Sequence, residues 1–145
     1  MMSQGETTGT SGPRKPEDVA VAALRLLDEG DVDGVDRVFA SDVLDHDPTP
    51  EVPEGIEGER ALFAAVVAGF DDIRHEVEYQ GRIGDGWVVT AWRMTGRHTG
   101  DFLGVPATGR PVDFKGIDVQ RVRDGKIVEH RHVEQLLQLV QQVQG

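Results

Sequence analysis

Apolar residues recur at helical spacing in the first half of this chain and at alternate positions in the second half. Val19, Ala22, Ala23, Leu26 and Leu27 form one stripe, the pattern of an amphipathic helix. Pro16 suits its first turn, Glu17 and Asp18 sit near its positive end, and Gly30 ends it. Asp31 is placed to cap a short second helix carrying Val35, Val38 and Phe39. Val43 to Asp47 is expected as a brief strand stopped by Pro48 and Pro50. Leu62, Phe63, Val66 and Val67 then stripe a third helix over about 57–69.

From Ile73 the period becomes two. Ile73, His75, Val77 and Tyr79 alternate with Arg74, Glu76, Glu78 and Gln80, as in a half-buried strand. Gly84-Asp85-Gly86 turns the chain into a strand over 87–98, and strands over 111–122 and 126–133 follow. Leu136, Leu137, Val140 and Val143 stripe a last helix. Helices first and long strands after them predict an α+β fold, a curved antiparallel sheet around the helices. Such a sheet leaves a ligand pocket at its mouth. Residues 1–15 are rich in Ser, Thr and Gly; a loose tail is expected there, before a single domain over 16–145.

Composition acts mainly by exclusion. The chain has 145 residues, and a domain of that size buries roughly 70% of its unfolded surface. A net charge of −11 disfavours nucleic acid and anionic membranes, both of which need clustered cations. There is no cysteine, so disulfides, thiolate catalysis and cysteine-based zinc sites are excluded. No apolar run reaches the roughly 18 residues of a membrane span. The opening MMSQGETTGTSGPRKP lacks an apolar stretch after a basic start. That is not a secretory signal, and a cytoplasmic address is expected.

The candidate chemistry centres on Asp118. It shares a strand face with Val112, Phe114, Gly116 and Val122, while the other face is mixed. A carboxylate on an apolar face is desolvated, which raises its pKa and poises it as a base. The plainer alternative is a surface or ion-paired carboxylate. If Asp124-Gly125 form a two-residue turn, Val122 faces Ile127, Gln120 faces Glu129 and Asp118 faces Arg131. Arg131 would then hold Asp118 ionised and weaken it as a base. A longer loop would shift this register.

His98 and His46 end strands where pocket polar groups are common, though each also suits a rim or capping role. His75 fits a core or interface position. His130 and His132 share a face at a spacing that can bind metal, but Glu134 is too close and no second histidine box exists. The pair is expected at the surface or a subunit interface, and no metal is expected. Gly100, Gly104 and Gly109, with Pro106, mark a loop that could serve as a lid. Trp87, Trp92, Phe102 and Tyr79 suit a pocket lining or a core.

The stretch Thr95–Arg110, Gly116-Ile117-Asp118 and the run from Asp124 to His130 resemble the SnoaL-like polyketide or ester cyclases of the NTF2-like superfamily. His46-Asp47-Pro48 with Gly55 and Gly58 resembles that family's first-strand motif. The resemblance covers about residues 17–140. It implies a cone-shaped α+β barrel, often oligomeric through its sheet, and a cofactor-free intramolecular aldol closure of a polyketide ester. It implies Asp118 as the general acid/base, with His98 and His46 the nearest matches to the assisting histidines. Where the family often has Trp after Glu-His, this chain has Arg131. The candidate substrate contacts are Arg131, Trp92, Phe114, Phe102 and Gln120, and the expected ligand is a small apolar carbonyl compound. A homodimer or higher homo-oligomer is expected. The competing functions are a non-catalytic small-molecule-binding module and an epoxide-hydrolase-like enzyme, which would want an Asp-Arg-Asp grouping.

Overall fold

A computed structural model describes residues 14–144. Helix α1 spans Pro16–Glu29 and closes on Gly30, whose φ of 70° lets its N–H return to Leu26 and Leu27. A 3₁₀ turn, Val32–Gly34, starts on the Asp31 side chain and runs into helix α2, Val35–Val38. Phe39 opens strand β1, Phe39–Asp45, rather than ending the short helix as expected. Helix α3 covers Ile56–Gly69. Strands β2 (Phe70–Arg82), β3 (Trp87–His98), β4 (Pro111–Arg123) and β5 (Lys126–Glu134) follow, then helix α4, Leu136–Gln144. No helix among the described residues is long and apolar enough to cross a membrane. The tail expected over 1–15 lies, for residues 1–13, outside the described residues.

The five strands form one sheet in the order β1-β5-β4-β3-β2. The α+β expectation holds with one correction: the sheet is mixed, because β1 runs parallel to β5 while the other neighbours are antiparallel. A helical crossover, α3, separates β1 from the meander and frees it to enter in that direction.

One face of the sheet is buried. Along β4 the exposure alternates strictly, with Val112, Phe114, Gly116, Asp118, Gln120 and Val122 inward. Two apolar clusters fill the concave side. Val19, Ala23 and Leu26 of α1 meet Phe39, Phe63, Val122 and Ile127 in one. Phe70, Trp92, Met94, Val112 and Phe114 meet Leu139 and Val143 of α4 in the other. Gly116, Asp118 and Gln120 lie on β4 between these clusters, and that interruption is the site.

Candidate functional site

The β4–β5 hairpin decides which side chains reach the interior. Asp124 and Gly125, at φ 52° and 77°, make the two-residue turn. Arg123 faces Lys126 and Val122 faces Ile127, as the turn predicts. The ladder then slips: Arg121 faces Glu129, so Val128 is an extra residue on β5. A bulge moves every later side chain of that strand to the other face. Asp118 therefore faces His132, not Arg131; Arg131 pairs with Val119 and is exposed. Gln120 faces His130 instead of Glu129. The histidine pair expected at the surface is inside, with His130 buried and the His132 side chain 8% exposed.

Registers across the sheet arrange the interior in rows. Val88, Gln120, His130 and Asp45 make one row over four strands. Thr90, Asp118 and His132 make the next, and Trp92, Gly116 and Glu134 the third. Gly116 is required there, since a Cβ would overlap the indole ring of Trp92. Helix α3 adds Glu59, on the same stripe as Ile56 and Phe63 and 2% exposed. A cleft of about 670 Å³ between β1, the following loop and the start of α3 is lined by Val43, Asp45, Pro53, Gly55 and Glu59, among others.

Each ionisable group answers to its surroundings. Burial pushes Asp118 up to about 7, with the indole of Trp92 and the charge of His132 pulling the other way. The Trp92 Nε1–H is buried and short of a formed hydrogen bond to any acceptor. Burial also lowers His132, but its bonds to Asp45 (Nε2 to Oδ2, 3.2 Å) and Glu134 (Nδ1 to Oε2, 2.8 Å) outweigh this and hold it protonated. Asp45 is held low despite burial by His132 and by the Asp47 backbone N–H, which donates to it at 2.8 Å. Glu59 is raised, first by burial and then by the Asp45 charge. Burial keeps His130 neutral; it accepts at Nδ1 from the Gln120 amide at 3.1 Å.

The remaining candidates lie elsewhere. His98 is 1% exposed and on the inner face, but eight residues along β3 from Thr90, the partner of Asp118. It packs on Phe70, its Nδ1 bonds Thr108 Oγ1 at 3.0 Å, and its Nε2 has no partner. The glycine-rich loop folds over this end: Thr108 and Gly109 donate to the His98 carbonyl, and Phe102 packs against Phe70. His46 lies at the rim, 3.1 Å from Glu129 Oε1. Phe114 sets an edge against Trp92. His75 is a core residue, 2.6 Å from Asp28 Oδ1. Among the described residues no arginine or lysine forms an ion pair with Asp45, Glu59 or Asp118, so the Asp-Arg-Asp grouping is not assembled.

Glu59, Asp45, His132 and Glu134 were not foreseen as site residues. Glu59 had a signal, an acid three residues after Ile56 and four before Phe63 on one helical stripe. Asp45 had a weaker one, two residues after the buried Val43. His132 had the two-residue spacing to His130 as its signal but was placed outside, because alternation counted from the turn cannot see the bulge.

The chain's likeness to known proteins matches this architecture. The aklanonic acid methyl ester cyclase DnrD of Streptomyces peucetius is 36% identical over 94 residues, 61% of this chain and 59% of that protein. The chain thus matches about three fifths of the relative's length. The structure of TsrD from Streptomyces laurentii superposes with a TM-score of 0.79 at 28% identity, covering 95% of this chain and 98% of that one. Wild-type IdmH from Streptomyces antibioticus gives 0.76 at 29% identity, covering 91% and 100%. The family model for SnoaL-like polyketide cyclases matches residues 17–143. With the fold and nearly the whole described chain in agreement, this protein belongs to the SnoaL-like polyketide cyclase family.

Proposed function

We propose that this protein closes a ring in a mostly apolar polyketide ester by acid/base chemistry at Asp118, without a group-carrying cofactor. The observation that carries this is a buried carboxylate on the concave face beside a buried N–H, that of Trp92, which lies toward the carboxylate without closing a hydrogen bond. A carboxyl raised to about 7 is a stronger base than a solvated one and is still ionised in part at neutral pH.

Asp118 takes the proton from a carbon flanked by carbonyls, and the electron pair moves onto a carbonyl oxygen as an enolate. The Trp92 N–H donates to that oxygen, where charge develops. The enolate carbon attacks a second carbonyl of the same molecule, and the proton on Asp118 passes to the new alkoxide. His98 and His46 stand outside this proton path.

The test is turnover of aklanonic acid methyl ester, the substrate class named for the Streptomyces peucetius relative. Asp118→Asn keeps the shape and removes the base, and turnover is expected to fall at least ~10²-fold. Trp92→Phe, which keeps a ring and deletes the donor, is expected to lower kcat by a comparable factor of ~10². Wild-type turnover by a folded Asp118→Asn protein overturns the role of Asp118.

The same proposal includes a homodimer through the outer sheet face. Tyr79, Ala91, Ile117 and Val133 form one row across four strands, and three of them are exposed. An apolar groove of about 340 Å³ runs beside this row. A monomeric mass in solution at working concentration would remove this part.

A further inference from the structure

Four side chains from three elements converge beneath the cleft, and none of them is the base assigned above. His130 and His132 present stacked rings, centroids 4.5 Å apart and planes 16° apart. Asp45 Oδ2 lies 3.2 Å from His132 Nε2. Ligand atoms of Asp45, His130 and His132 all fall within 4.8 Å of one another. Glu59 supplies a fourth: its Oε1 is 4.0 Å from His130 Nε2 and has no hydrogen-bond partner, although the side chain is only 3% exposed. An unpartnered oxygen that deeply buried is costly unless something else meets it.

The spacing suits a small divalent ion. Tetrahedral coordination with bonds of about 2.0–2.1 Å sets neighbouring ligand atoms about 3.3 Å apart. The 3.2 Å pair meets this; closing the site needs the Glu59 carboxyl to move in from 4.0 Å and one of the two stacked rings to turn, because parallel rings direct their nitrogen lone pairs side by side and not at one point.

The far nitrogen of each ring is held as well. Glu134 Oε2 takes His132 Nδ1 at 2.8 Å, and the Gln120 amide stands 3.1 Å from His130 Nδ1. A metal-bound imidazole keeps its proton on the other nitrogen and donates it to such a partner. Turning over the Gln120 amide would present Oε1, a buried atom that otherwise lacks a partner. The ion therefore accounts for the orphaned oxygen of Glu59.

We propose that Asp45, Glu59, His130 and His132 form a divalent-cation site of the zinc type, reached through the cleft between β1 and α3. Two imidazoles and two carboxylates are a suitable zinc donor set, and four protein ligands leave no open position. The ion is then a clasp joining β1, α3 and β5 beside Asp118, not a binder of substrate. Both rings must be neutral to ligate, so the ion competes with the proton between Asp45 and His132. The proposal does not depend on Asp118 acting as a base.

The test uses the full chain, stripped with a chelator and titrated with Zn²⁺ alone or Co²⁺ alone. One equivalent is expected to bind, with the visible absorption of tetrahedral Co²⁺. Glu59→Gln and Asp45→Asn are each expected to weaken binding at least ~10-fold with circular dichroism unchanged. In the wild-type protein, ¹⁵N spectra are expected to show Zn²⁺ moving the Nε2 resonances of His130 and His132. The proposal is overturned if the folded protein binds no stoichiometric ion. It is equally overturned if both substitutions leave binding intact, or if the shifts fall on His46, His75 or His98 instead. Asp118→Asn is expected to keep Zn²⁺ binding, so this site and the catalytic proposal fail separately.

Discussion

His98 and His132 are both deeply buried on one concave surface, yet they sit in different chemistry. At the His98 end the neighbours are Phe70, Phe102 and the loop N–H groups of Thr108 and Gly109, and the ring has one side-chain partner, Thr108. Around His132 the neighbours are Asp45, Glu134, His130 and the Asp118 strand position, supplied by β1, β4 and β5. Burial alone makes a histidine part of a core. It becomes part of a site where several elements bring charge to the same place, since only then does desolvation act on groups that can exchange protons or hold an ion.

The contrast can be broken at its root by inserting one alanine between Val128 and Glu129. With the bulge still one residue long, His130 and His132 turn outward and Arg131 turns inward against Asp118. The buried carboxylates lose their partners, and a loss of more than about 4 kcal/mol, or no folded protein, is expected in denaturant titrations.

A smaller and more direct comparison replaces each histidine by leucine. His132→Leu leaves Asp45 and Glu134 without their shared cation, at a cost of about 3 kcal/mol. His98→Leu swaps one ring for an apolar side chain in an apolar cluster and gives up a single hydrogen bond, for under about 1.5 kcal/mol. Equal costs in urea unfolding would show that the two environments do not differ as described.

The smallest effect concerns another buried histidine, His75. Asp28 is held below its ordinary value of 3.8 because its bonds to His75 and Arg25 outweigh burial. A depressed carboxyl stabilises the fold above its unfolded pKa and loses that contribution as pH falls through the folded one. The stability gap between wild type and Asp28→Asn is therefore expected to be constant from pH 7 to about 5 and to close below pH 4. A gap that widens on acidification would reverse the sign assigned here.

Periodicity alone located α1, α3, α4 and the four long strands to within a few residues, because each buries one face and its apolar positions must repeat with the element's own pitch. It also put Asp118, Phe114 and Val122 on the inner face, since two-residue alternation along one strand needs no knowledge of its neighbours. The direction of β1 was not legible, nor was the pairing of Asp118. Both depend on how separate segments align, and a hydrogen-bonded ladder can slip by one residue while each strand keeps its own pattern. The amino-acid order determined which elements form and which side of each faces inward. The packed structure alone decided that His132, Asp45 and Glu59 meet beside Asp118. That proximity is set by one bulge and one parallel strand pairing, and neither leaves a mark in the spacing of apolar residues.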